Sequence, residues 1–157
     1  MLVQEIMNTN VKVAKLTTPI CEIAVIMCFN KISGVPVVND QNEIIGLISE
    51  KDILNGMYPN VDEYMQIGRY DFEQLENEYT DVLNLQVKDI MKPGLFTVKP
   101  DEPVLKAVSV MCLKKIRRIP VAEDKKLIGI ISIGDVHKAI FQKHLDDSSS
   151  NKLQAAS

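Results

Sequence analysis

Seven glycines in 157 residues include neither a Walker loop nor a dinucleotide glycine fingerprint, so the backbone cradles of common nucleotide-hydrolysing and hydride-transferring enzymes are missing. Only two histidines occur, His137 and His144, and the pattern sets no serine or cysteine beside them, which removes a nucleophilic triad. His137 follows Asp135 by two residues, so the two point to different faces of a helix and make no metal site. Basic residues are not in excess. The 18 Lys and Arg against 21 Asp and Glu give a net charge of −3 and a pI near 5.4, opposite in sign to a protein whose whole face binds DNA or RNA. No apolar run approaches the roughly 20 residues of a membrane span; the longest, such as Leu127 to Ile133, have the length of a buried strand. The start, Met1-Leu2-Val3-Gln4-Glu5, lacks the charged and apolar regions of a signal peptide. A non-catalytic cytoplasmic protein with no nucleic-acid, membrane or metal partner is expected. The three cysteines, Cys21, Cys28 and Cys112, are odd in number and without metal-ligand spacing, and are read as buried small hydrophobes.

What is present is an ordinary globular composition, 46% apolar and 25% charged, at a length that buries about two thirds of its unfolded surface as one domain or two small ones. The chain also repeats itself. Val3 to Val38 aligns with Val87 to Ala122 at a shift of 84, matching Ile6-Met7 with Ile90-Met91, Met27-Cys28 with Met111-Cys112 and Pro36-Val37 with Pro120-Val121. One deletion then sets the shift to 83, so that Ile45-Gly46 matches Ile128-Gly129, Ser49 matches Ser132 and Asp52 matches Asp135. A repeat of this kind marks the structural unit.

Within a copy, Ile20, Ile23, Ala24, Met27 and Cys28, and likewise Val104, Ala107, Val108, Met111 and Cys112, recur at amphipathic-helix spacing. Thr18-Pro19 reads as an N-cap followed by proline at the first helical position. Two hairpins follow: Val35 to Val38 with Ile44 to Ile48, and Ile119 to Val121 with Leu127 to Ile133. A helix comes after each, Glu50 to Leu54 and Gly134 to Lys143, and a short strand precedes each first helix near Val11 to Ala14 and Phe96 to Val98. Each copy is thus β-α-β-β-α, an α/β (α+β) unit whose apolar sheet face needs a second copy to cover it. The expected division is repeat 1 over residues 1–55, a linker over 56–86, repeat 2 over 87–145 and a flexible tail over 146–157. From Asp71 to Val87 the linker carries five acids and no Lys or Arg, with Phe72, Leu75, Tyr79, Val82 and Leu83 at helical spacing. That fits an acidic amphipathic helix packed on its own module, with a partner surface as the alternative.

Ser49 and Ser132 stand at strand ends, with Asp52 and Asp135 in the first turn of the helices that follow. A carboxylate there can accept two hydrogen bonds from a ribose diol while the helix N-terminus and the hydroxyl attract phosphate. The same Ser-x-x-Asp spacing also suits a capping box in which the side chains satisfy backbone donors. Lys114, Lys115, Arg117 and Arg118 put four cations into five residues just before Ile119-Pro120-Val121, and the two arginines can grip phosphate bidentately. The positions matching the arginines in the first copy are Ser33 and Gly34, leaving Lys51 as the only obvious cation of its site.

The doubled Gly46-Leu47-Ile48-Ser49-Glu50-Lys51-Asp52 and Gly129-Ile130-Ile131-Ser132-Ile133-Gly134-Asp135, each behind a Pro-Val strand, resemble the tandem CBS (cystathionine β-synthase) domain family. The resemblance covers Val3 to Leu54 and Val87 to Lys143. It implies a pseudo-two-fold Bateman module of two repeats, homodimerisation, and energy-sensing regulation by AMP, ADP, ATP, S-adenosylmethionine or NAD held between the repeats and read by an unidentified protein partner. By that resemblance the main nucleotide cleft holds Val11, Lys12, Arg117, Arg118, Ile130, Ser132 and Asp135. A weaker cleft holds Ser33, Gly34, Leu47, Ser49, Lys51, Asp52, Leu95 and Phe96. Lys12 is larger than the residue often found at its position, and Gly134 lacks a hydroxyl that some relatives carry.

Overall fold

A computed structural model describes residues 1–58, 61–68, 72–77 and 81–155. The chain forms two compact units, Lys12–Leu95 and Met1–Val11 together with Phe96–Ser157. Each unit therefore contains most of one repeat, completed by the opening segment of the other.

In the Lys12–Leu95 unit, α2 (Ile20–Asn30) buries Ile20, Ile23 and Met27, the i, i+3, i+7 stripe that one helix face can cover. Cys28 falls one step off that stripe and is exposed, as are Cys21 and, in the other unit, Cys112. The reading of buried cysteines is thus corrected: the helix period turns them outward. Pro19, not Thr18, is the N-cap, and it offers no side-chain acceptor. The Thr18 hydroxyl oxygen instead accepts from the Lys15 N–H at 2.9 Å. Helix-starting N–H groups need partners wherever the side-chain cap is missing. Here Ile20 N–H donates to the Leu85 carbonyl at 2.8 Å and Cys21 N–H to that of Leu83 at 3.1 Å.

The hairpin β1 (Gly34–Val38) and β2 (Ile44–Ser49) is antiparallel, with a bulge between Val37 and Val38. The strand expected near Val11 to Ala14 is reduced to one parallel bridge, Ala14 to Val37. It is held by Ala14 N–H on the Pro36 carbonyl and Val38 N–H on the Ala14 carbonyl, both 2.9 Å. Proline donates nothing, but its carbonyl still accepts. Helix α3 (Glu50–Met57) follows. The short α6 (Val87–Ile90), which the periodicity did not reveal, closes the core with Val87 fully buried.

Between α3 and α6 lie α4 (Val61–Ile67) and α5 (Phe72–Asn77). The expected acidic helix from Asp71 to Leu83 is therefore shorter. Phe72 is 68% exposed and Val82 is buried beyond the helix end, because the chain turns at Leu83 to place the carbonyls that cap α2. Asp71, Glu78 and Tyr79 lie outside the described residues.

The other unit repeats this plan with α1 (Val3–Ile6), α7 (Val104–Lys114), β3 (Arg118–Glu123), β4 (Lys126–Ser132) and α8 (Ile133–Ala155). Val98 bridges Val121 in parallel, as Ala14 bridges Val37. Asp124 and Lys125 both have positive φ, the conformation a two-residue hairpin turn requires. Where the sequence reading ends the last helix at Lys143 and makes residues 146–157 a flexible tail, α8 continues to Ala155. Nothing after Gly134 interrupts it, and the Ser148 and Ser149 hydroxyls donate back to the carbonyls of His144 and Leu145 within the helix.

Candidate functional site

The chemistry gathers at the junction of β4 and α8. The Ser132 hydroxyl donates to Asp135 Oδ2 at 2.6 Å and the Ser132 N–H to the same oxygen at 2.8 Å, while the Asp135 N–H donates to the Ser132 Oγ at 3.1 Å. The first copy repeats the exchange. Both Ser49 donors reach Asp52 Oδ2 at 2.8 Å, and the Asp52 N–H reaches the Ser49 Oγ at 3.2 Å. These are capping boxes. In each, the cap occupies Oδ2, and no described hydrogen bond reaches Oδ1. Helix capping and ligand contact are therefore compatible uses of one carboxylate.

The helix starts are tied further to the preceding strands. Ile133 N–H donates to the Arg117 carbonyl and Glu50 N–H to the Ser33 carbonyl, both at 3.0 Å. The copies differ in what stands across the hairpin. Arg118 is the register partner of Ser132, whereas Gly34 is the partner of Ser49. Directly opposed residues of an antiparallel pair present their side chains to one face, with Cβ atoms about 5 Å apart. The second copy thus opposes the cap serine with the half-buried residue Arg118, and the first copy opposes it with a glycine that has no side chain.

Val11, Arg117, Arg118, Ile130, Ser132 and Asp135 belong to the same unit, while Lys12 belongs to the other. Ser33, Gly34, Leu47, Ser49, Lys51, Asp52 and Leu95 share the Lys12–Leu95 unit, but Phe96, grouped with them from sequence, does not. Phe96 lies instead beneath Lys114, whose ammonium is 4.9 Å from the ring centroid, a cation–π distance. Arg117 and Lys51 are exposed, Leu47 is half-buried and Ile130 is only 7% exposed.

Sequence reasoning missed the segments that cross the hairpins. Asn8 and Ile130 exchange two backbone hydrogen bonds, N–H to carbonyl each way at 2.9 Å. A Cβ added to Gly129 would lie 2.7 Å from the Met7 Sδ and 3.1 Å from the Asn8 carbonyl oxygen. Gly46 is held in the same way against the Met91 thioether. The signal was in the repeat itself, where Ile-Met recurs with Ile-Gly, though nothing in the spacing said that the two meet.

No helix among the described residues is long and apolar enough to cross a membrane. Among those residues, too, no three His, Cys, Asp or Glu side chains converge as metal ligands would.

A family model described as "CBS domain" matches residues 3–58 and 87–142. Among curated proteins, an uncharacterized protein of Methanocaldococcus jannaschii, MJ1426, is 31% identical over 125 residues, 71% of this chain and 74% of its own length. The chloroplastic CBS domain-containing protein CBSX1 of Arabidopsis thaliana is 29% identical over 143 residues, 83% of this chain. This chain spans 59% of CBSX1's length. The crystal structure of CBSX2 in complex with AMP superposes with a TM-score of 0.71 at 26% identity, covering 91% of this chain and 98% of that one. The CBS domain pair of MJ0100, in complex with 5-methylthioadenosine and S-adenosyl-L-methionine, shares the fold with a TM-score of 0.66 at 21% identity, again covering 91% and 98%. The chain belongs to the CBS domain family and carries that domain twice, as a Bateman-type pair.

Proposed function

We propose that this chain is a regulatory module that binds an adenosine-containing ligand at the β4–α8 junction and reports its presence to a protein partner. The observation that carries this reading is the pairing of Arg118 with Ser132 beside the Asp135 cap. Asp135 Oδ1 is the acceptor for a ribose hydroxyl, and Arg118 with Arg117 holds phosphate through charge-assisted bonds. The AMP complex of CBSX2, a relative sharing this fold, supports an adenosine nucleotide over other anions. The first copy, with Gly34 opposite Ser49, is the weaker site and suits an adenosine bearing fewer phosphates. At both junctions the serine hydroxyl and the aspartate are engaged with each other in the helix cap, which supports binding rather than catalysis.

A second copy of the chain is the further partner that the surface favours. Phe29 on α2 is 85% exposed, and Leu105 and Leu113 on α7 are 70% and 77% exposed. Phe29 and Leu113 occupy the same repeat position, so each unit presents an equivalent apolar helix face of the kind that an isologous dimer covers. Light scattering of the purified chain tests this, with a dimer expected for the wild type and monomer for Phe29→Glu combined with Leu113→Glu.

Thermal unfolding in the presence of AMP, ADP, ATP, NAD and S-adenosylmethionine tests the ligand reading. A ligand at 100 times its Kd adds about 2.7 kcal/mol of stability. A rise with at least one of the five, recovered chemically unaltered after incubation, is expected; no response to any of them, in protein freed of carried-over ligand, refutes it.

A further inference from the structure

Eleven N-terminal residues complete a unit whose remaining residues begin 85 positions later, at Phe96. The attachment has several parts. Val3 is fully buried; its N–H donates to the Glu102 carbonyl and the Gln4 N–H to that of Pro100, both at 2.9 Å. Met7 lies over Gly129 so closely that a methyl group there would overlap its sulfur. Asn8 then forms its reciprocal pair with Ile130. Finally the Asn8 Oδ1 accepts from the Asn10 N–H at 2.9 Å, turning the chain away.

The pinned strand residues are the ones that lead into the site, because Ile130 is two positions before Ser132. The first copy has the methionine but not the clamp. Met91 covers Gly46 in the same manner, yet among the described residues no bridge joins Lys92 to Leu47, the counterparts of Asn8 and Ile130. The clamp and the arginine are therefore found in the same copy.

We propose that Met1–Val11 is a positioning strap for the β4–α8 site: Met7 on Gly129 and Asn8 on Ile130 fix the strand that presents Ser132, so that strap docking and ligand binding strengthen each other. The proposal rests on the nucleotide-binding reading above. Met7 and Asn8 act through Ile130 and Ser132 and are positioning residues. By linkage, the factor by which the docked strap raises affinity equals the factor by which ligand favours docking. Whatever is joined to the N-terminus, or acts on it, can then sense occupancy.

Hydrogen exchange of the Asn8 and Ile130 amides in the full chain, with and without saturating AMP, reads one direction of the coupling. Calorimetric AMP affinity of Met7→Ala, Met7→Leu and Met91→Ala reads the other. The expected results are about tenfold slower exchange at both amides with AMP, and about tenfold weaker binding in Met7→Ala, within the usual range of coupling between sites. Met7→Leu, which refills the space, restores affinity to within about threefold by the same principle. Met91→Ala serves as the control for general destabilisation, since it removes the same side chain from the other unit and keeps the affinity.

AMP binding that leaves Asn8 exchange unchanged, or Met7→Ala that lowers the melting temperature no more than Met91→Ala and retains full affinity, makes the strap a purely structural element and overturns the proposal. Where AMP does not bind, the same two measurements are made with whichever of ADP, ATP, NAD and S-adenosylmethionine does; absence of binding by all five refutes the nucleotide reading at the first step, and the strap proposal with it. The two failures are thus told apart by whether any of the five binds at all.

Discussion

Arg118 faces Ser132 across the β3–β4 hairpin, at the register position where the first copy places Gly34 opposite Ser49. The two helix caps share one hydrogen-bond pattern, so the difference between the copies lies in the residue opposed to the cap serine. A guanidinium adds charge and a forked donor set without altering the scaffold.

Arg118→Glu therefore weakens AMP binding by ten- to a hundredfold or more, since a hydrogen bond to a charged group is worth about 1.5–3 kcal/mol and the substitution also adds repulsion. The fold is retained, because the backbone pairing of residue 118 does not depend on its side chain. Titration calorimetry combined with circular dichroism checks both parts.

Ser132→Ala removes an N-cap acceptor from the Asp135 N–H and costs about 1 kcal/mol of stability, as cap substitutions generally do. Ser49→Ala should cost about the same by the same principle, since its bonds match. Urea unfolding of both variants measures this. Asp135→Ala would lose cap and ligand contact together, whereas Asp135→Asn keeps a carbonyl acceptor for the cap and isolates the charge.

Gly129→Ala brings a Cβ to 2.7 Å from the Met7 Sδ and 3.1 Å from the Asn8 carbonyl oxygen. The side chain can move, but the backbone carbonyl is fixed by its bond to Ile130. Overpacking of this kind costs about 1–3 kcal/mol. Gly46→Ala meets only the Met91 side chain, so its cost falls at or below the lower end of that range. The difference in melting temperature between the two variants tests this ordering.

Glu102 accepts hydrogen bonds from the Lys106 ammonium and the Lys99 N–H, and these hold its carboxyl below the ordinary glutamate value. A carboxylate depressed in the folded state contributes stability that is fully present above the unfolded value and lost as pH falls through the folded one. The wild type thus loses this contribution only in acid. Glu102→Gln lacks that part of the acid dependence and loses less than about 1 kcal/mol at neutral pH, the scale of exposed ion pairs. Unfolding measured from pH 3 to pH 7 compares the two.

The repeat made most of the fold legible. Hairpins, first helices and the Ser-x-x-Asp junctions were each written twice, and a pattern written twice reports packing rather than chance. The exceptions have local causes. Short helices such as Val3–Ile6 and Val87–Ile90 offer too few turns for a period to show. Pro19 took the cap from Thr18 because carbonyls 62 and 65 residues away in sequence, at Leu83 and Leu85, satisfy the Cys21 and Ile20 donors, and no local rule anticipates them. Cys28 and Cys112 read as apolar but point outward, since hydrophobic character alone does not fix the face. The exchange of terminal segments, which assigns Phe96 to the unit of Lys114 and Lys12 to the unit that does not contain Asp135, is a property of chain routing. The arginine pair was visible in the sequence, while its register opposite Ser132 became visible only in the hairpin.

Calorimetric titration of AMP into the wild-type chain and into Arg118→Glu tests the central claim most directly. The account predicts saturable binding by the wild type and a loss of at least about tenfold in the variant, as expected for removal of a charge-assisted contact. Equal affinity in the two proteins, or binding of none of the five adenosine ligands by the wild type, would contradict it.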